Sequence, residues 1–205
     1  MHRHPPKALA AGLSLLALVS VLNGCGSSDA STAAGGGRSI RFESSAVRAD
    51  GVIDPSTRCG SGSLWLPLKW GAVPPGTKEL AVYIGRFKYE KVHGNLKLVV
   101  PFADLVYHIK PSRRGNAANT IPEEAAWSFF GDLSCPPVRK GQSILQQVFA
   151  FDHPRYRREL TQAKATQLTE EALGAKQSTS TPPAPLGDDL IGVGRFVATY
   201  ATYAP

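Results

Sequence analysis

Residues Cys59 to Ile84 read CGSGSLWLPLKWGAVPPGTKELAVYI, and this stretch predicts a turn-rich loop feeding a buried strand. The turn is Val73-Pro74-Pro75-Gly76-Thr77. Pro75 restricts the residue before it, and Gly76 offers the positive-φ position that such a turn needs. From Leu80 the chain alternates, with Leu80, Val82 and Ile84 on one side and Ala81 and Tyr83 on the other. That period is the mark of a strand buried on at least one face.

Outward from this stretch the composition agrees with a β-rich chain. Of the 205 residues, 42% are hydrophobic and 19% charged, with 20 glycines and 16 prolines. Such numbers suit a loop-rich, mainly β domain better than a helical bundle. Arg38 to Glu43 reads as a first strand, since Ile40 and Phe42 alternate with polar neighbours. Thr166 is placed to cap a short helix running through Glu170, Glu171, Ala172 and Leu173 and stopping at Gly174. On that reading the two glutamates fall in early turns, where the helix dipole favours them. Lys176 to Asp189 is rich in Ser, Thr and Pro and reads as an exposed loop.

The first residues read as an address. His2, Arg3, His4 and Lys7 form a basic region, and Ala8 to Leu22 an apolar run interrupted by Gly12, Ser14 and Ser20. A membrane span needs about 20 consecutive apolar residues, so the run suits a signal peptide. Leu22-Asn23-Gly24-Cys25 looks like a bacterial lipobox, which implies diacylglycerol on the Cys25 thiol and cleavage before it. An ordinary secretory signal, with Cys25 incidental, is the alternative. At ~0.8 kcal/mol per buried CH₂, two or three acyl chains hold a protein firmly on a bilayer. Gly26 to Gly37 lacks any large apolar residue and reads as a flexible tether. The expected organisation is therefore a signal peptide over 1–24, a lipidated tether over 25–37 and one domain over 38–205. The expected location is the extracytoplasmic side of a bacterial membrane.

The chain carries a formal charge of +7. Removing Arg3 and Lys7 leaves 23 − 2 = 21 bases against 16 acids, or +5. Arg113-Arg114, Arg139-Lys140 and Arg155 to Arg158 concentrate that charge. They are either solvated faces or contacts to anionic headgroups, where each base contributes ~1 kcal/mol. Nucleic acid is not an expected partner, because no aromatic-basic platform or known motif accompanies the charge.

Taken in order, Cys59, Pro67, Leu68, Trp70 and the turn Val73 to Thr77 resemble the phosphatidylethanolamine-binding protein family, in its bacterial Raf-kinase-inhibitor-like branch. That branch carries a Cys-Asp-Gly turn, a Ser-Pro-Pro-Leu-x-Trp segment and a Val-Pro-x-Gly-Thr turn entering a strand. Gly51 and Ile53 fall in register with the family's entry segment, with Pro55 one place late. Further on, Pro101 to Ile109 corresponds to a family strand, Gly131 to Pro137 to its Cys-Pro-Pro loop, and Ser143 to Asp152 to a central strand. Leu190 to Tyr203 is similar to the closing strand. The resemblance implies a mainly β fold: an antiparallel Greek-key β-sheet sandwich with short peripheral helices.

It also implies a cleft, and there this chain departs from the pattern. Two acidic positions of the family fall on Arg86 and Lys88, a reversal of sign. A His-Trp pair falls on Ala103-Asp104, and a His-Arg-Tyr triplet on Gln142-Ser143-Ile144. His108 reads as a satisfied structural residue. The candidate cleft is then Trp70, Arg86, Lys88, Asp104, Cys135, Pro136, Pro137 and Ser143. Its implied ligand is a small anion or a phospholipid headgroup, with no cofactor. Cys59 and Cys135 occupy loops near the same end of the family's sheet, so they pair as a disulfide or remain as two buried thiols. Closing that loop contributes roughly 4 kcal/mol on the chain-entropy view. Cys59, Cys135, His93, His108 and His153 show no short metal-ligand spacing, so no metal is expected.

No Ser-His-Asp, Cys-His or paired-carboxylate arrangement stands out. The expected function is a non-enzymatic, membrane-anchored binding module. The alternative is an envelope interaction protein, or an inhibitor of an envelope protease, acting through Arg113 to Thr120 and Ser178 to Leu186.

Overall fold

The computed structural model describes residues 38–54, 66–116, 122–130, 142–154, 160–174 and 187–200. Its centre is the strand that the turn at Gly76 launches. Gly76 takes φ +88°, and the Thr77 N–H and hydroxyl both reach the Pro74 carbonyl, at 3.2 and 2.6 Å. Out of this turn come β5 (Glu79–Val92) and then β6 (Asn95–Ile109), its antiparallel neighbour. On its other side β5 pairs antiparallel with β9 (Ser143–Phe151).

Around these three, β8 (Ala126–Phe130) lies beyond β6 and β10 (Leu190–Tyr200) beyond β9. β1 (Arg38–Ser39) and β3 (Val52–Ile53) both run parallel to β10, along its two ends. The large sheet is antiparallel, as the resemblance implies, except for these two parallel pairs along β10. A second, antiparallel sheet consists of β2 (Phe42–Ser44), β4 (Leu68–Trp70) and β7 (Gly115–Asn116).

The core has two halves, one on each face of the large sheet. On one face Leu80, Val82, Ile84, Val106 and Val148 meet Ile40 and, from the second sheet, Phe42, Leu68 and Trp70. On the other, Ala81, Tyr83, Phe149 and Phe151 are covered by Ala165, Leu168 and Ala172 of helix α1 (Gln162–Ala172). From Glu79 to Phe87 β5 is buried on both faces, which explains why its apolar run there is nearly continuous instead of cleanly alternating. The Tyr83 hydroxyl fastens the helix, lying 3.0 Å from the Ala165 carbonyl and 2.9 Å from Thr169 Oγ1. Burial lifts this phenol far above its ordinary pKa. Gly85 leaves room for the ring, since a Cβ there would stand 2.5 Å from the Tyr83 hydroxyl.

Three expectations need correction. The strand foreseen over Arg38 to Glu43 is split, because the Ile40 N–H bonds to Val193 in the large sheet while Phe42 already pairs with Trp70 in the other. The chain crosses between sheets within two residues. The helix begins earlier than Thr166: its N-cap is Thr161, whose hydroxyl accepts from the Lys164 N–H at 3.4 Å. Glu170 and Glu171 consequently sit in the last turn, where the dipole does not favour them. Gly174 at φ +69° does follow the helix end. Leu190–Tyr200 and Ser143–Phe151 match their expected strands closely.

Candidate functional site

Arg86 lies on β5 directly across from Phe102 on β6 and Ile144 on β9. One side-chain row away, Asp104 and Gln146 flank Ile84 from the same two strands. The two-residue period of a strand puts all four polar and apolar partners on the face that meets the second sheet. Arg86 is 7% exposed, Asp104 2% and Gln146 0%. A buried guanidinium, a buried carboxyl and a buried amide thus occupy adjacent places in an otherwise apolar layer.

The electrostatics follow from that burial. Desolvation pushes the Asp104 carboxyl up to about 7, against a weaker pull from the Leu105 backbone. Close to neutrality this group is therefore protonated about as often as it is ionised. The Arg86 guanidinium stacks over the Phe102 ring at 5.8 Å from its centre. Its field also acts on Tyr200 of β10, whose phenol is raised by burial and drawn back by the Arg86 charge. Gln146 has neither its amide nitrogen nor its oxygen hydrogen-bonded among the described residues, and the Asp104 Oδ1 and Gln142 Oε1 atoms stand in the same condition. Each such buried group costs about 1–3 kcal/mol. This face holds a buried cation beside an amide and a carboxyl oxygen that have no hydrogen-bond partner among the described residues.

The remaining expected residues are distributed unevenly. Lys88 follows Arg86 by two places, beyond a register shift, and forms an ion pair with Glu90 at 2.5 Å. Ser143 pairs with Phe87 and Thr199, so alternation turns it to the helix side, away from Arg86. Trp70 is a core residue of the second sheet, with its one donor on the Arg113 carbonyl at 2.8 Å. Cys25, Cys59, Cys135, Pro136 and Pro137 lie outside the described residues. Gln146 and Tyr200 join the site without any counterpart among the expected cleft residues. A signal for Gln146 is present in the sequence: an uncharged polar pair, Gln146-Gln147, inside the apolar strand SILQQVFAF.

His108 has a partner within the fold. Its Nδ1 sits 2.6 Å from Glu79 Oε2, at a backbone bulge where His108 adopts φ +62°. A broad depression of about 650 Å³ beside the second sheet is lined by Glu43, Ser44, Lys69, Arg113 and Asn116. Its charges are already matched: Arg113 forks onto Glu124 at 3.1 Å through two nitrogens, and Lys69 lies 3.8 Å from Glu43. The Arg86 face, by contrast, holds the Gln146 amide and the Asp104 Oδ1 atom without a hydrogen-bond partner among the described residues.

No protein-family profile and no curated protein sequence matches the chain. Among solved structures it is similar to a phosphatidylethanolamine-binding protein homologue from Chlamydia trachomatis. The TM-score is 0.53 at 18% identity, over 81% of this chain and 99% of that one. The Escherichia coli protein YbcL, described as a member of the mammalian family of these proteins, gives 0.48 at 15% identity, over 80% and 99%. The first likeness shows a shared fold.

Proposed function

We propose that this chain, built on the fold of the phosphatidylethanolamine-binding proteins, is a divergent relative that binds a small oxyanion or phospholipid headgroup without turning it over. The observation that carries the reading is Arg86, a buried cation at the expected cleft position, with the unsatisfied Gln146 amide one row away on the same face. Arg86 would bind the anion as a charged donor, the Gln146 amide nitrogen would add a neutral donor, and Asp104 in its protonated state a hydroxyl. The module would be held at the extracytoplasmic membrane surface by lipid on Cys25, with residues 26–37 as spacer. No cofactor is called for.

Thermal unfolding of the purified protein with sulfate, glycerophosphate or phosphorylethanolamine at low salt tests the reading. A ligand at 100 times its Kd stabilises by ~2.7 kcal/mol, a rise of roughly 5–10 °C for a chain of this size. The shift should vanish in Gln146→Leu, which keeps the strand's packing, and in Arg86→Met. A flat response to every anion overturns the reading and leaves a protein partner at the surface as the place to look.

A further inference from the structure

We propose that the β5–β6 hairpin beyond residue 87 is a membrane-contacting finger that recognises an anionic lipid surface. The β9 pairing of β5 ends at Phe87↔Ser143, and the β8 pairing of β6 ends at Ala103↔Phe130. Residues 88–99 therefore continue as a two-stranded ribbon with no further sheet partner among the described residues. His93 and Gly94, at φ +48° and +86°, close it with the paired positive-φ turn that suits strand twist.

The ribbon is two-sided. Tyr89 opposes Leu98 and Lys91 opposes Leu96, continuing the Phe87 side, where Phe87 and Tyr89 meet edge to face at 6.3 Å. The other side carries Lys88, Glu90 and Lys97. Leu96 is 75% exposed and Tyr89 53%, with Val92 exposed as well. Large apolar side chains at the tip of a thin ribbon are a poor arrangement for water alone. Three lysines stand against one glutamate over residues 88–98, a surplus of +2, and that glutamate is already held by Lys88.

Exposed leucine, an interfacial tyrosine and long cationic stems are what a headgroup region accommodates: the rings and alkyl groups enter while the ammonium groups meet lipid phosphates. The same positive surplus opposes pairing with a second copy of this chain. Charge complementarity thus selects an anionic bilayer. This surface is separate from the Arg86 face, and its test does not depend on the anion reading.

The test is amide hydrogen exchange of the full chain on phosphatidylglycerol and on phosphatidylcholine vesicles. Residues 89–98 should exchange markedly more slowly on phosphatidylglycerol. The Lys91→Gln/Lys97→Gln pair should erase the difference and weaken binding to those vesicles on the order of 30-fold, at about fivefold per base. Leu96→Asp should erase it too, while residues 80–84 stay protected in every variant, as an intact sheet requires. Equal exchange on both vesicle types overturns the proposal, because a lipid anchor alone holds the chain on either surface without shielding the finger. Protection that appears without lipid and grows with protein concentration overturns it in favour of self-association.

Discussion

Asp104 and Arg86 are diagonal neighbours on one buried face, Asp104 across from Ile84 and Arg86 across from Phe102. Such diagonal places lie about 7–8 Å apart on an antiparallel pair. The carboxyl is raised by burial, so two ionisable groups share an apolar layer, with one permanently charged and the other poised near neutrality. Consequences for pH follow from that placement.

The first concerns stability. The Asp104 pKa is about 7 when folded and about 3.9 when unfolded. Between those values the folded state holds the proton and the unfolded state does not, so stability falls as pH rises from about 4 to about 7. Above 7 this contribution is flat, with a total loss on the order of 4 kcal/mol. Asp104→Asn should remove it. Urea unfolding at several pH values, taken as wild type minus variant, should show a slope confined to that window; a constant difference would refute the assignment.

Anion affinity should follow the same group. An ionised Asp104 repels an anion at Arg86, whereas a protonated one donates to it. Sulfate, which does not itself titrate in this range, should bind most tightly below pH 7. Its affinity should drop by up to about tenfold per pH unit above that. Titration calorimetry at pH 6, 7 and 8 reads this directly, and Asp104→Asn should level the profile.

The parts of the molecule legible from the sequence are those where local and tertiary preferences agree. The turn at Gly76 and the run from Leu80 specify β5 twice over, and the structure follows them. The helix start is ambiguous in the sequence because Thr161 and Thr166 are equally good caps in isolation. The buried spacing Ala165, Leu168, Thr169, Ala172 begins before Thr166 and decides for Thr161. The hairpin at residues 88–99 is masked by its charged residues and by His93-Gly94 in place of Asn-Gly. Arg86 and Asp104 stand out in the sequence as charges within apolar strands, but that they share a face with Gln146 and Tyr200 depends on strand register, which no local pattern encodes.

Tyr83 links sheet to helix, and its loss should show there. Tyr83→Phe removes the hydroxyl from Ala165 and Thr169, which still hydrogen-bond each other at 2.8 Å. The cost should be modest, about 0.5–1.5 kcal/mol. Gly85→Ala should cost more, about 1–3 kcal/mol, since its methyl would press on the Tyr83 ring at 2.8 Å. In both variants hydrogen exchange of α1 should accelerate before that of β9.

Two glycine substitutions separate backbone strain from close packing. At Gly76, φ is +88° and nothing lies within 4 Å of where an added methyl would stand, so Gly76→Ala meets only conformational strain, about 1–2 kcal/mol. At Gly194 an added Cβ would overlap the Ile40 carbonyl oxygen and stand 2.9 Å from the Phe42 Cβ. Those atoms belong to the two residues where the chain leaves the large sheet for the second one, and the Ile40 N–H is tied to Val193. The crossing therefore cannot retreat without breaking that bond or the Phe42–Trp70 pairing. Gly194→Ala should cost more than about 3 kcal/mol, among the larger effects of a single methyl. Urea midpoints of the two variants, measured side by side, check the order. Equal losses would mean that the crossing is not held against β10 as closely as the structure shows.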